Sequence, residues 1–191
     1  MTQKNSRKKE VCVLLSGGID SSACIAFYLD QGFLVHSYFV DYGQVSVLRE
    51  EKAAVDVAKH YGIHLEKLKW SGFSDKVSGF IQGRNAFLLI AALMELSEEV
   101  NILAIGIHSG TNYVDCTSSF IHRLQDIFDI YTQGKVHIGT PFLKWTKRDV
   151  WDFCCSKGVP VKITYSCECG MEQPCGQCLS CRDLEELHAC S

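Results

Sequence analysis

The chain has 191 residues, 47% of them hydrophobic and 21% charged, with a formal net charge of −3. That is the composition of one globular domain, or of one with a small appendage, long enough to bury a core. It offers no broad basic face for nucleic acid; the apolar run after the basic N-terminus is only five residues, too short for a signal-peptide core, and no span approaches the length of a membrane helix. A cytoplasmic protein with no membrane or direct nucleic-acid partner is therefore expected. The one basic cluster, Lys4, Arg7, Lys8 and Lys9, reads as part of a flexible N-terminus over residues 1–10.

The first element is an apolar run from Val11 to Leu15, read as a strand. It leads into Ser16-Gly17-Gly18-Ile19-Asp20-Ser21-Ser22 and a helix over Asp20 to Gln31, stopped by Gly32. Strand, glycine turn and helix in that order make an anion cradle, because two glycines let consecutive N–H groups converge at a helix N-terminus. Ser16, Ser21 and Ser22 add hydroxyl donors. Asp20 is a carboxylate among donors for phosphate, a placement that suits a Mg²⁺ ion held between the two. The loop reads as a site for a nucleotide with metal, and it is neither a Walker A loop nor a G-x-G-x-x-G turn.

Leu34 to Val40 is expected to be a second strand, ending in Asp41-Tyr42-Gly43-Gln44, and Val47 to Tyr61 a helix closed by Gly62. Leu65 to Trp70 is a third strand. A polar stretch from Gly72 to Gly83 precedes a helix over Arg84 to Glu99, apolar almost all round and so expected to be buried between the sheet and another element. Ile102 to Ile107 is a strand, Thr117 to Tyr131 a helix, Val136 to Ile138 a fifth strand and Thr146 to Lys157 a helix closed by Gly158 and Pro160. This alternation predicts an α/β fold over residues 11–160, with a parallel five-stranded sheet, helices on both faces and the active site at the carboxyl ends of the strands.

Eleven cysteines are present, and five of them fall between Cys167 and Cys181. Such clustering points to metal rather than disulfides. Cys167, Cys175, Cys178 and Cys181 form C-x7-C-x2-C-x2-C, which fits a tetrahedral Zn²⁺ site in a C-terminal knuckle over residues 161–191. An iron–sulfur cluster and redox thiols are the alternatives. Cys169 is separated from Cys167 by one residue, poorly spaced for both sulfurs to share one ion, and is expected to be a spectator or a competitor.

The loop S-G-G-x-D-S resembles the pyrophosphate loop of the N-type ATP pyrophosphatases, whose fold is of the adenine nucleotide alpha hydrolase, Rossmann-like kind. Together with the cysteine tail, the chain resembles the 7-cyano-7-deazaguanine synthase (QueC) family. Asp41-Tyr42-Gly43-Gln44 matches its D-Y-G-Q motif, Gly83-Arg84-Asn85 its G-R-N motif, Asp115-Cys116 its P-D-C, Thr140-Pro141-Phe142 its T-P-L, and Lys147 a lysine just beyond.

The resemblance implies that ATP adenylates the carboxylate of 7-carboxy-7-deazaguanine, that ammonia gives an amide, and that a second activation gives the nitrile. It places Ser16, Gly17, Gly18, Asp20, Ser21 and Ser22 with Tyr42, Gln44 and Gly83 around ATP and Mg²⁺. Arg84 would meet a phosphate or the substrate carboxylate, Asn85 would read a ring edge, Lys147 would neutralise departing pyrophosphate, and Asp115 would accept from the guanidine-like edge. A homodimer is implied as well.

The chain also departs from the family. Ile19 replaces a glutamine in the loop, Val45 and Ser46 stand where a basic residue and a histidine are usual, and the stretch between Trp70 and Gly83 is short, which predicts a more open pocket. The segment from His108 to Val114 differs from the family's acidic, proline-bearing loop and offers His108 as a general base. Drift in the substrate-facing loops leaves room for an enzyme that hands the activated deazaguanine to a protein or other amine, as in antiviral defence. A tRNA-modifying enzyme with Cys116 as nucleophile and a non-catalytic nucleotide-binding module are the readings from other classes.

Overall fold

The computed structural model describes residues 9–71, 81–110 and 113–189. Residues 72–80 of the short stretch between Trp70 and Gly83, residues Thr111 and Asn112, and the basic residues Lys4, Arg7 and Lys8 lie outside them. Five parallel strands form one sheet: β1 Glu10–Leu14, β2 Leu34–Asp41, β3 His64–Lys69, β4 Ile102–Ala104 and β5 His137–Gly139, in the order β3-β2-β1-β4-β5. Among the described residues there are six α-helices: α1 Ile19–Asp30, α2 Val47–Tyr61, α3 Arg84–Met94, α4 Ser118–Thr132, α5 Lys147–Lys157 and α6 Leu179–Ala189.

Successive residues of β1 point to opposite faces, and both faces are covered. Val11, Val13 and Leu15 join α1, α2, α5 and the end of α6 through Ile25, Val57, Trp151 and Leu187. Cys12 and Leu14 join α3 and α4 through Leu89, Ala92, Leu124 and Phe128. The strand order reverses at β1, between β2 and β4, and an α/β sheet opens a ligand crevice at such a point.

Two expected boundaries are corrected. The third helix stops at Met94 rather than Glu99, because the Tyr38 hydroxyl takes the Glu95 carbonyl at 2.6 Å and ends the ladder there. Its outer side is open among the described residues, with Met94 66% exposed, so burial all round is not met. β4 ends at Ala104 rather than Ile107, since the Ile107 N–H turns back to the Ile105 carbonyl and Gly106 lies on the first turn of α1. A Cβ at Gly106 would come within 2.6 Å of the Asp20 carbonyl oxygen.

Helix ends elsewhere follow the residues that signal them. Thr146 and Asp149 form a reciprocal capping box at the start of α5, and Gly158 closes it in the left-handed region. Gly62 closes α2 in the same way. α6 was not foreseen in the cysteine tail.

Candidate active site

A cavity of about 330 Å³ opens at the carboxyl ends of β1, β2 and β4. The first residues of α1, α3 and α5 all line it, so three helix N-termini with their positive dipole ends meet one space.

The two loop glycines do different work. Gly17 has φ +81°, and a Cβ there would lie 2.5 Å from the Glu50 carbonyl and 2.8 Å from the Ala54 nitrogen, so packing against α2 requires glycine. Its carbonyl accepts from the Tyr165 N–H at 2.9 Å. Gly18 has ordinary backbone angles, and the protein atoms nearest its absent Cβ are 3.5 Å or farther. Nothing in the protein forbids a side chain at Gly18; the space a Cβ would fill belongs to the cavity.

The serine hydroxyls are turned inward. Ser21 and Ser22 both donate to the Gly18 carbonyl, at 3.0 and 2.8 Å, and Ser16 lies 3.1 Å from Ser21. Ser22 is fully buried, whereas Ser16 and Ser21 reach the cavity wall. Asp20 faces Lys147, whose ammonium donates to both carboxylate oxygens at 2.8 and 2.7 Å. The cation beside Asp20 is thus supplied by the first residue of α5. His108 points to the same place, its Nε2 3.9 Å from Asp20. Burial, reinforced by Lys147 and opposed by Asp20, holds this imidazole below its ordinary pKa.

Across the cavity stand Arg84, Asn85 and Asp115. Gly83 caps α3 with φ +78°, which sends Arg84 into the space. Arg84 reaches the hydroxyl of Tyr42, whose pKa is raised by burial against the pull of that guanidinium. Asn85 is buried, and its amide nitrogen donates to the Asp115 carbonyl at 3.3 Å while its backbone N–H meets the Asp115 carboxylate at 3.4 Å. It therefore braces the 3-10 turn Val114–Cys116 rather than standing free, and Cys116 lies buried beneath it. Gln44 is a strut too: it accepts from the Tyr42 N–H and donates to Glu50 at 2.9 Å, tying the turn after β2 to α2.

The cysteine tail closes the remaining side. The sulfurs of Cys167, Cys175, Cys178 and Cys181 all lie within 4.8 Å of one another, with Cys175 and Cys181 3.9 Å apart. A tetrahedral ion with metal–sulfur bonds of about 2.3 Å spaces its sulfurs by roughly 3.8 Å, so the donor set fits such an ion. Backbone N–H groups of Gln177 and Cys178 point at the Cys175 sulfur and draw its pKa down to about 6, toward the thiolate that binds metal. Cys169 stays outside the four, 3.7 Å from Cys175.

Gly170 of the knuckle touches the turn before α2, where a Cβ would meet the Val45 carbonyl at 2.5 Å. From α6, Ser180 and Asp183 face the cavity, and burial raises the Asp183 carboxyl despite the opposing pull of Lys147. This wall was missed in the sequence. Cys181, Leu184 and Leu187, three residues apart on one helix face, were the signal for it.

The family model described as "Queuosine biosynthesis protein QueC" matches residues 10–75 and 74–187. A protein of Synechococcus sp. (strain CC9311) named 7-cyano-7-deazaguanine synthase is 30% identical over 203 residues, covering 91% of this chain and 89% of its own. One of the same name from Aquifex aeolicus is 31% identical, over 92% and 94%. Among solved structures, the U34-tRNA thiolase NcsA from Methanococcus maripaludis aligns over 96% of this chain and 65% of its own, with a TM-score of 0.53 and 18% identity. A predicted subunit of tRNA methyltransferase from Methanocaldococcus jannaschii aligns over 78% and 76%, with a TM-score of 0.52 and 21% identity. At such identities these two share the fold alone. With the family model matched over nearly the whole chain, from the glycine loop through the cysteine tail, the chain belongs to the QueC family of queuosine biosynthesis proteins.

Proposed function

We propose that the protein is an ATP-dependent ligase that converts 7-carboxy-7-deazaguanine and ammonia to 7-cyano-7-deazaguanine. The observation that carries this reading is one cavity lined by the glycine loop at one end and by Arg84 and Asp115 at the other. Gly18 and the first amides of α1 hold the triphosphate, with Lys147 placed to leave Asp20 for the departing pyrophosphate. A Mg²⁺ ion fits the vacated Asp20 carboxylate and would supply charge neutralisation across the phosphates. Arg84 draws the substrate carboxylate into line, and Asp115, fixed by Asn85, accepts from the adjacent N–H groups of the ring.

In the first step a carboxylate oxygen bonds to the α-phosphorus and the bond to pyrophosphate breaks. Ammonia then adds to the acyl carbon, AMP leaves and a proton is released, giving the amide. The amide oxygen then bonds to the α-phosphorus of a second ATP as pyrophosphate leaves and one nitrogen proton is lost; loss of AMP and the second nitrogen proton gives the nitrile. Zn²⁺ fits the four thiolates and would pin the tail wall without touching the reacting atoms.

Mass spectrometry of the protein incubated with Mg-ATP, 7-carboxy-7-deazaguanine and ammonium tests the reading. Nitrile with AMP is the expected result. AMP without nitrile, with an amide or a protein adduct in its place, assigns a different acceptor. Absence of AMP removes the deazaguanine assignment.

A further inference from the structure

His108 lies in Gly106-Ile107-His108-Ser109-Gly110, and every neighbour in that run constrains it. Gly106 rests on the first turn of α1, where any Cβ would strike the Asp20 backbone. Gly110 donates its N–H to His108 Nδ1 at 3.0 Å, and a Cβ on Gly110 would lie 2.9 Å from that nitrogen. Ser109 donates both its N–H and its hydroxyl to the Trp145 carbonyl, at 3.0 and 2.8 Å, two residues before Lys147. The loop after β4, the start of α1 and the start of α5 are thereby braced around one point.

The hydrogen bond to Nδ1 fixes the tautomer. With Nδ1 accepting, the proton of the neutral ring is on Nε2. His108 is 6% exposed, it lines the cavity, and Nε2 has no hydrogen-bond partner among the described residues. Asp20 at 3.9 Å is too far to accept. His108 lines the cavity, so an acceptor held there can reach this N–H.

We infer that His108 is a nucleotide-binding residue, a neutral Nε2–H donor to a phosphate oxygen held between Asp20, Lys147 and the first turn of α1. A general-base role is not compatible with this arrangement, because Nε2 already carries the proton and Nδ1 is taken. A neutral donor also suits the place, since Lys147 already supplies a cation there. The inference rests on the reading of the cavity as an ATP site.

The test uses inorganic pyrophosphate with Mg²⁺ as the probe, followed by nitrogen NMR of the imidazole in the full chain and by titration calorimetry. The expected result is an Nε2–H tautomer in the free protein whose Nε2 resonance moves when pyrophosphate is added. His108→Ala should weaken pyrophosphate and ATP binding by roughly tenfold, the size of one hydrogen bond to a charged group, and leave AMP binding unchanged. His108→Gln, which restores an N–H at the same reach, should recover most of the loss. An Nδ1–H tautomer, an imidazole that does not respond to pyrophosphate, or a His108→Ala protein with native affinity and no turnover would each overturn the inference. Normal nitrile synthesis with an unresponsive His108 would remove the inference alone; a responsive His108 with no AMP formed from ATP and 7-carboxy-7-deazaguanine would remove the deazaguanine reading alone.

Discussion

At the glycine-loop end of the cavity, position is set by main chain and by missing side chains: Gly17 against α2, Gly106 against α1, and the Tyr165 N–H on the Gly17 carbonyl. At the opposite end it is set by side chains that hold one another, Asn85 on Asp115 and Arg84 on Tyr42. The first kind of construction tolerates few substitutions but depends little on which polar residues surround it. The second can be re-cut by exchanging one or two side chains, and so, under the proposed function, it is the end at which substrate preference can change while the use of nucleotide is kept.

The largest way to break this contrast is to disrupt the four-cysteine knuckle, whose donor set fits a metal ion. Chelation, or Cys175→Ser, should cost on the order of several kcal/mol and loosen the strap from Tyr165. Amide hydrogen exchange should then quicken at residues 17–22 while Asn85 keeps its protection; equal quickening at both ends would show that the two are not independent. Next in size, Gly17→Ala should destabilise by about 2 to 4 kcal/mol from a positive φ and overlap with α2, read as a fall in the urea midpoint. Asn85→Leu should cost about 1 to 3 kcal/mol by stripping Asp115 of its brace, with ATP affinity retained and turnover of the deazaguanine lost. Smallest in stability is Gly18→Ala, expected within about 0.5 kcal/mol of the native protein yet at least tenfold weaker for ATP. If Gly17→Ala and Gly18→Ala had equal effects on folding, the assignment of packing to one glycine and ligand to the other would fall.

What could be read from the sequence is what local chemistry decides. The bounds of α2, from Val47 to Tyr61, follow from helical spacing and Gly62, and those of α5 from Thr146, Asp149 and Gly158. The glycine loop and the four cysteines declare themselves by residue type and spacing. What could not be read depends on contacts far along the chain. The end of α3 is set by a hydroxyl from β2, and the end of β4 by the first turn of α1. The same holds for the polar residues of the site. Lys147 and Asp20 are far apart in sequence, and only the fold shows that each is the other's counter-ion. His108 is legible as a candidate, but its role as donor turns on a hydrogen bond from Gly110 that no spacing rule announces.

The hydrogen bond from Tyr165 to Gly17 joins the first motif of the chain to one near its end. During synthesis the glycine loop leaves the ribosome early, but the strap that holds its carbonyl and the α6 wall of its cavity come only after β5 and α5. A chain cut short before Tyr165 keeps all five strands and lacks what holds its oldest motif in place. Binding competence therefore arrives late and together with the knuckle, because a contact of such long range cannot close until both partners are present.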